Sequence, residues 1–251
     1  EMCIRDSLQQ APANWLAKLT HRIGEPTVRL ATLQAMKILG GQFVLGRDIG
    51  SALKRAGRNG TLCSFDMLGE GARTQKDADR YFENYLAAIE TVGSASTASH
   101  LFDGHNVSVK LSALHPRFWE SHRETCLPAL KEKVLALAAT ARRFNIGMSL
   151  DAEECARLEL TMDVFEWLCK QPELEDWQGL GFVLQAYQKR ALDVAKWLIA
   201  LAQSRPAGIM VRLVKGAYWD AEIKIAQQQG LTDYPCLLYT SPSPRDAYVC
   251  G

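Results

Sequence analysis

The 251-residue sequence has no apolar stretch near the ~20 residues that a bilayer-crossing helix needs; runs such as Val134–Ala139 stop far short. No apolar leader opens it either: residues 1–7 hold Glu1, Arg5 and Asp6, so no secretory signal is expected. Charge of one sign is also missing. Lys and Arg number 29 against 28 Asp and Glu, a net charge of +1, which supplies neither a nucleic-acid footprint nor a polybasic membrane anchor. The seven cysteines (Cys3, Cys63, Cys126, Cys155, Cys169, Cys236, Cys250) form no CxxC pair. Their odd count fits reduced thiols in a cytosol better than a disulfide framework. His105, His115 and His122 lack zinc-type spacing and cysteine partners, so no metal site is expected. What is present is 47% hydrophobic and 23% charged residues, the mix of a soluble globular protein, at a length that would suit one (β/α)8 barrel.

The two ends stand apart from the middle. Back-translation of Glu1–Ser7 as GAGATGTGTATAAGAGACAG gives a reverse complement that, read one base out of frame, encodes Cys-Leu-Leu-Tyr-Thr-Ser and then a codon beginning with C. The sequence Cys236-Leu-Leu-Tyr-Thr-Ser241-Pro242 follows that reading. One inverted DNA element at both ends suggests translated sequencing-library adapter. Residues 1–7 and 236–251 are therefore expected to be adapter-derived, leaving 8–235 as evolved protein from a longer gene, with four cysteines.

Residues 8–59 read as helices only: Trp15–Leu19 is amphipathic, Gly24-Glu-Pro26 is a break, Val28–Phe43 has helical spacing, and Asp48–Lys54 is another short helix before the Arg58-Asn-Gly60 turn. From residue 60 to 235 the character changes. Strands are predicted at Thr61–Asp66, Asn106–Leu111, Gly147–Leu150, Gly181–Leu184 and Ile209–Val214. Helices are predicted at 74–93, 127–144, 153–170 and 188–204, with another starting near Tyr218. Such alternation means a parallel sheet covered by helices, closing as a doubly wound sheet or a barrel. No strand leads into a GxGxxG or Walker loop. Polar residues instead end the apolar runs: Asp66, Lys110, Asp151, Gln185 and Arg212. In a parallel barrel those ends share the face where barrel enzymes place their chemistry, so the fold class expected is α/β, a partial (β/α)8 TIM-type barrel of five βα units after a small helical segment.

Any one of these residues could be an ordinary strand end or half of a structural ion pair; five at the same end weigh toward a site. Lys110, Asp151 and Arg212 would then neutralise one another or a ligand. Two chemistries stay open on the residues alone. Lys110 or Lys215 could be a Schiff-base nucleophile with a lowered pKa, as in a lysine-dependent aldolase or lyase. Alternatively, the charges could hold an anionic small substrate beside an organic cofactor. A third, non-enzymatic reading is a helical binding scaffold.

Four segments carry a resemblance: Ser108-Val-Lys-Leu-Ser-Ala-Leu-His-Pro-Arg117, Leu150-Asp-Ala-Glu-Glu154, Gly181-Phe-Val-Leu-Gln-Ala-Tyr-Gln-Lys189 and Val211-Arg-Leu-Val-Lys-Gly-Ala-Tyr-Trp-Asp220. With Phe65-Asp-Met-Leu-Gly-Glu70, they resemble the strand motifs of the proline dehydrogenase family, and most of all its bifunctional bacterial proline utilization A branch. The likeness runs over essentially all of 8–235.

The resemblance implies a distorted (β/α)8 barrel that holds FAD and oxidises L-proline to 1-pyrroline-5-carboxylate by hydride transfer to flavin N5. It implies catalytic roles for Asp151 and Arg212, with Arg212 beside N5. Lys110, Tyr218 and Glu70 would meet the substrate. Ala152, Gln185, Arg212, Lys215, Gly216, Ala217 and Trp219 would contact the flavin, although Tyr218-Trp219 reads equally well as a packing pair at a helix start. It further implies a quinone-type electron acceptor at the membrane surface, a fused NAD-dependent 1-pyrroline-5-carboxylate dehydrogenase, and a cytoplasmic protein peripheral to the inner membrane face. Arg142-Arg143 does not match the family's carboxylate-clamping arginine pair; it precedes strand Gly147–Leu150 and is expected as a solvated helix C-terminus. Nothing after residue 235 matches the later barrel strands, so the chain is expected to be a truncated and inactive barrel with open sheet edges.

Overall fold

The computed structural model describes residues 27, 29–35, 44–67, 69 and 71–236, and the chain divides into two units, Glu1–Gly60 and Thr61–Gly251. In the first unit, residues 29–35 are helical, as the spacing within Val28–Phe43 predicts; the helix expected over Trp15–Leu19 lies outside the described residues. Helix α1 (Ile49–Asn59) starts on a capping box. The Ser51 N–H donates to Asp48 Oδ1 at 2.7 Å while the Asp48 N–H donates to Ser51 Oγ at 3.2 Å. It runs past the expected end at Lys54 because nothing breaks it before Gly60, whose φ of 61° forms the left-handed C-cap.

The second unit is a curled half-barrel. Strands β1 (Ser64–Asp66), β2 (Asn106–Val109), β3 (Gly147–Leu150), β4 (Leu180–Gln185) and β5 (Met210–Val214) pair in sequence order, every pair parallel. Between them lie α2 (Gln75–Ala95), α3 (Arg123–Arg143), α4 (Leu158–Cys169) and α5 (Ala191–Gln203), and α6 (Trp219–Gln228) follows β5. Every residue of β3 and β4 is buried, as a parallel sheet with helices outside and side chains inside requires. Phe182 on β4 packs edge-on against Phe165 of α4 and Trp197 of α5, with ring centres 5.0 and 5.7 Å apart, joining two helices to the sheet.

The inward side chains of β5 fill the curl. Met210 reaches over the neighbouring strands: a Cβ placed on Gly147 of β3 would meet Met210 Cε at 2.6 Å, and one on Gly181 of β4 would meet it at 3.3 Å. One layer up, Arg212 spans the full curl and donates to Ser64 Oγ on β1 at 2.8 Å. The first and last strands of the five-stranded sheet are thus within one arginine's reach.

Element ends move where backbone groups are drawn into loops. The helix expected from 153 begins at Leu158, because Glu153 is held by Ser112 and Arg157 and a short 3₁₀ turn fills Cys155–Arg157. Helix α3 begins at Arg123 rather than 127, with Pro128 inside it. Strand β1 is shorter than expected, and β2 stops at Val109 before a 3₁₀ turn at Leu111–Ala113. Arg212 is also corrected: it lies in the middle of β5, where alternation points it inward, rather than at the strand's end.

The outward residues of β5, Val211 and Leu213, are 50% and 68% exposed, so one strand presents an apolar face to solvent. Among the described residues no helix is long and apolar enough to cross a membrane. Leu213→Lys is expected to leave the far-UV circular dichroism unchanged and to lower self-association severalfold in light scattering. Unchanged association would clear this face of any part in it. Gly147→Ala should destabilise the chain by about 1–3 kcal/mol in urea unfolding, because the added methyl displaces Met210.

Candidate active site

The mouth of the half-barrel is built from strand ends. Asp66 is the last residue of β1, Lys110 and Asp151 stand one residue past β2 and β3, and Gln185 ends β4. Arg212 reaches the same place from within β5. Four of these five form one line of alternating charge. Lys110 Nζ lies 2.5 Å from Asp66 Oδ2 and 2.9 Å from Asp151 Oδ2, and Arg212 Nη2 donates to Asp151 Oδ1 at 2.8 Å.

Three of the four make further hydrogen bonds nearby. The Asp151 N–H donates to the Val109 carbonyl at 2.8 Å, extending the ladder one residue beyond β3. The Ala152 N–H donates to Asp151 Oδ1 at 3.1 Å. The Lys110 N–H donates to the hydroxyl of Tyr85, a buried side chain of α2, at 3.2 Å. Arg212 Nη2 also donates to Ser108 Oγ at 3.0 Å, while its Nε is buried with no hydrogen-bond partner among the described residues.

Burial alone would push the Lys110 ammonium toward neutrality. The Asp66 hydrogen bond and the nearby Asp151 charge more than reverse that, so the pKa is raised and Lys110 stays protonated at neutral pH. The open alternative of a desolvated Schiff-base amine therefore fails at Lys110. It fails at Lys215 for a different reason: that residue is exposed rather than desolvated. The five strands set aside the helical scaffold.

A second tier supports the mouth. The Glu153 carboxylate accepts the Ser112 N–H at 3.0 Å and Arg157 Nη1 at 2.7 Å; burial pushes its pKa up against the lowering pull of Arg157. The Glu153 carbonyl accepts Gln185 Nε2 at 2.8 Å, which fixes the amide of a buried side chain. Gly216 has φ of 122°, and a Cβ there would lie 1.8 Å from the Tyr187 ring. The close approach its missing side chain permits is to Tyr187. Ala217 is exposed, and Tyr218 and Trp219 are half-buried at the cap and first residue of α6. Glu222 in the first turn of that helix accepts the Cys155 N–H at 2.6 Å and the Cys155 thiol at 2.9 Å, tying α6 to the loop after β3. Glu70 lies outside the described residues.

The structure therefore brings together Asp66, Lys110, Asp151 and Arg212, with Gln185 linked to the loop after β3. Sequence reasoning missed Ser64, Ser108, Tyr85 and Glu153. Ser108 carried a signal, standing two residues before Lys110 on the same face of a strand. Tyr85 carried none beyond its place on a helix's apolar face. Arg142 and Arg143 end α3, pairing with Asp176 at 2.8 Å and Glu90 at 3.1 Å, as a cationic helix end should.

Two outcomes follow from this geometry. Asp151→Ala should cost about 3 kcal/mol of stability in urea unfolding, because Arg212 loses its carboxylate and Lys110 one of two. The Cys155 thiol is pushed up to about 12 by burial and by the Glu222 carboxylate. Its alkylation at pH 8, followed by mass spectrometry, should run about a thousandfold slower than that of a free cysteine.

Comparison with known proteins places these features in context. The family model for proline dehydrogenase matches residues 50–241. The bifunctional protein PutA of Klebsiella aerogenes is 44% identical over 223 residues, covering 88% of this chain and 17% of that protein. Proline dehydrogenase 1 of Bacillus subtilis subsp. natto is 31% identical over 180 residues, covering 70% of this chain and 52% of that protein. Among solved structures, a Bradyrhizobium japonicum proline utilization A variant superposes with a TM-score of 0.77 at 49% identity, covering 89% of this chain and 23% of that one. The chain thus spans about a fifth of the length of the PutA proteins it matches.

Proposed function

The chain belongs to the proline dehydrogenase family, and we propose that residues 60–235 are the first five βα units of an FAD-dependent barrel that oxidises L-proline to 1-pyrroline-5-carboxylate. Residues 8–59 form a preceding helical segment in this reading, and 1–7 and 236–251 are adapter-derived. The observation that carries it is the line Asp66–Lys110–Asp151–Arg212 across the mouth, two cations fixed by two carboxylates at the face where barrels act.

The donor set suits an electron-accepting ring system. Arg212 presents a planar guanidinium, and its buried Nε lacks an acceptor among the described residues. When bound, FAD would supply the two-electron acceptor for hydride. Arg212 would contribute positive charge where electron density gathers, and Gln185, Ala152, Lys215, Gly216, Ala217 and Trp219 would form the surrounding wall. Lys110 has three N–H donors, two of them directed at Asp66 and Asp151, and would offer the third to the proline carboxylate. Tyr218 and Glu70 would line the substrate pocket. Loss of hydride from the carbon beside nitrogen needs a neutral amine held in place rather than a strong base, so Asp151 acts by holding both cations.

The same reading gives the longer protein a fused NAD-dependent 1-pyrroline-5-carboxylate dehydrogenase and a quinone-type acceptor. It places that protein in the cytoplasm, peripheral to the membrane's inner face. A longer product that carries residues 8–235 unchanged should purify yellow and reduce a dye with proline; a colourless, proline-inert product would refute the reading. The 251-residue chain itself should retain little FAD and show no turnover with proline, and measurable dye reduction by it would overturn that part.

A further inference from the structure

The charge line at the mouth contains one residue to which the resemblance assigns no role. Asp66 ends β1, and its carboxylate approaches Lys110 Nζ from the side opposite Asp151. Without it, Asp151 would serve two cations alone and the cluster would carry a net positive charge. With it, two carboxylates face two cations, and the ammonium is fixed from two strands at once.

We propose that Asp66 is a positioning residue: by holding the Lys110 ammonium from β1, it fixes Nζ with a single N–H left for a substrate carboxylate and leaves Asp151 Oδ1 to Arg212. The functional half of this rests on the proline-oxidising reading above; the electrostatic half does not. The geometry is unequal in a way that supports the assignment. The Lys110 side chain is 11% exposed and that of Asp151 13%, whereas Asp66 is 40% exposed. The buried pair is thus completed by a carboxylate at the solvent edge, whose desolvation cost is smaller. Among the described residues, the charged and titratable groups around Lys110 are Asp66 on β1, Asp151 after β3, Arg212 on β5 through Asp151, and Tyr85 on α2, on which Glu153 in the loop after β3 also acts.

The test is the pH profile of Lys110 acetylation by limiting acetic anhydride on the full 251-residue chain, read by mass spectrometry. The exposed Lys196 serves as the internal standard and the mostly buried Lys133 as the fold control. In the parent chain Lys110 should react at least tenfold more slowly than Lys196 at pH 9. Asp66→Asn should raise the Lys110 rate about tenfold and move its profile down by about one pH unit, with Lys133 unchanged. Asp66→Glu should restore the parent rate to within about twofold. An Asp66→Asn profile identical to the parent's would overturn the proposal, because Asp151 alone would then hold the ammonium. A rise at Lys133 together with Lys110 would overturn it too, making Asp66 a folding residue. Labelling requires neither proline nor flavin. A profile that behaves as expected beside a proline-inert longer protein would therefore sink the functional reading and leave the Asp66 tie standing.

Discussion

Two cations and two carboxylates inside a half-barrel impose a single constraint on everything around them: no member can move alone. Asp151 is the shared element. One of its oxygens faces Lys110 and the other Arg212, and its own N–H continues the β2–β3 ladder. Removing a carboxylate from such an arrangement exposes two poorly solvated cations to each other, and the low dielectric that strengthens the pairs also enlarges that penalty. The strand ends, the loop after β3 and the arginine on β5 are thereby fixed relative to one another before any ligand is considered.

Much of this was legible in the sequence for a simple reason. Short apolar runs broken by a polar residue, alternating with amphipathic helices, encode parallel strands and the face on which their ends meet. Lys110, Asp151 and Gln185 were found that way, and their positions within a residue of the strand ends follow from hydrophobic patterning. The resemblance to proline dehydrogenases added roles, which patterning cannot supply. What stayed hidden depends on side chains that leave no periodic trace. Tyr85 meets Lys110 from a helix 25 positions earlier in the sequence. Glu153 looks like a helix start in sequence, yet its carboxylate is spent on Ser112 and Arg157, and the helix waits until Leu158. Arg212 breaks an apolar run in sequence as a strand-end residue would, yet it sits within β5, where the hydroxyls of Ser64 and Ser108 and the carboxylate of Asp151 make a charge tolerable.

Gly216 shows a similar displacement of cause. A glycine in a turn that the resemblance assigns to flavin contact invites an explanation from the cofactor. The structure supplies a nearer one, the Tyr187 ring, which occupies the space a side chain would need. The loop after β5 is shaped by the protein's own aromatic residue, and the wall it offers is in place independently of what lies against it.

Arg212 has a geometric consequence. Five parallel strands joined side by side could lie nearly flat, with the outer two far apart; here a single side chain rooted on β5 touches β1. The curvature of the sheet is therefore gauged by a fixed length, that of one guanidinium-tipped arm, like the cord of a drawn bow. The tip of that arm is held electrically as well as sterically, since the guanidinium that meets Ser64 also meets Asp151. The distance between the outer strands and the geometry of the charge line at the mouth are thus set by one side chain.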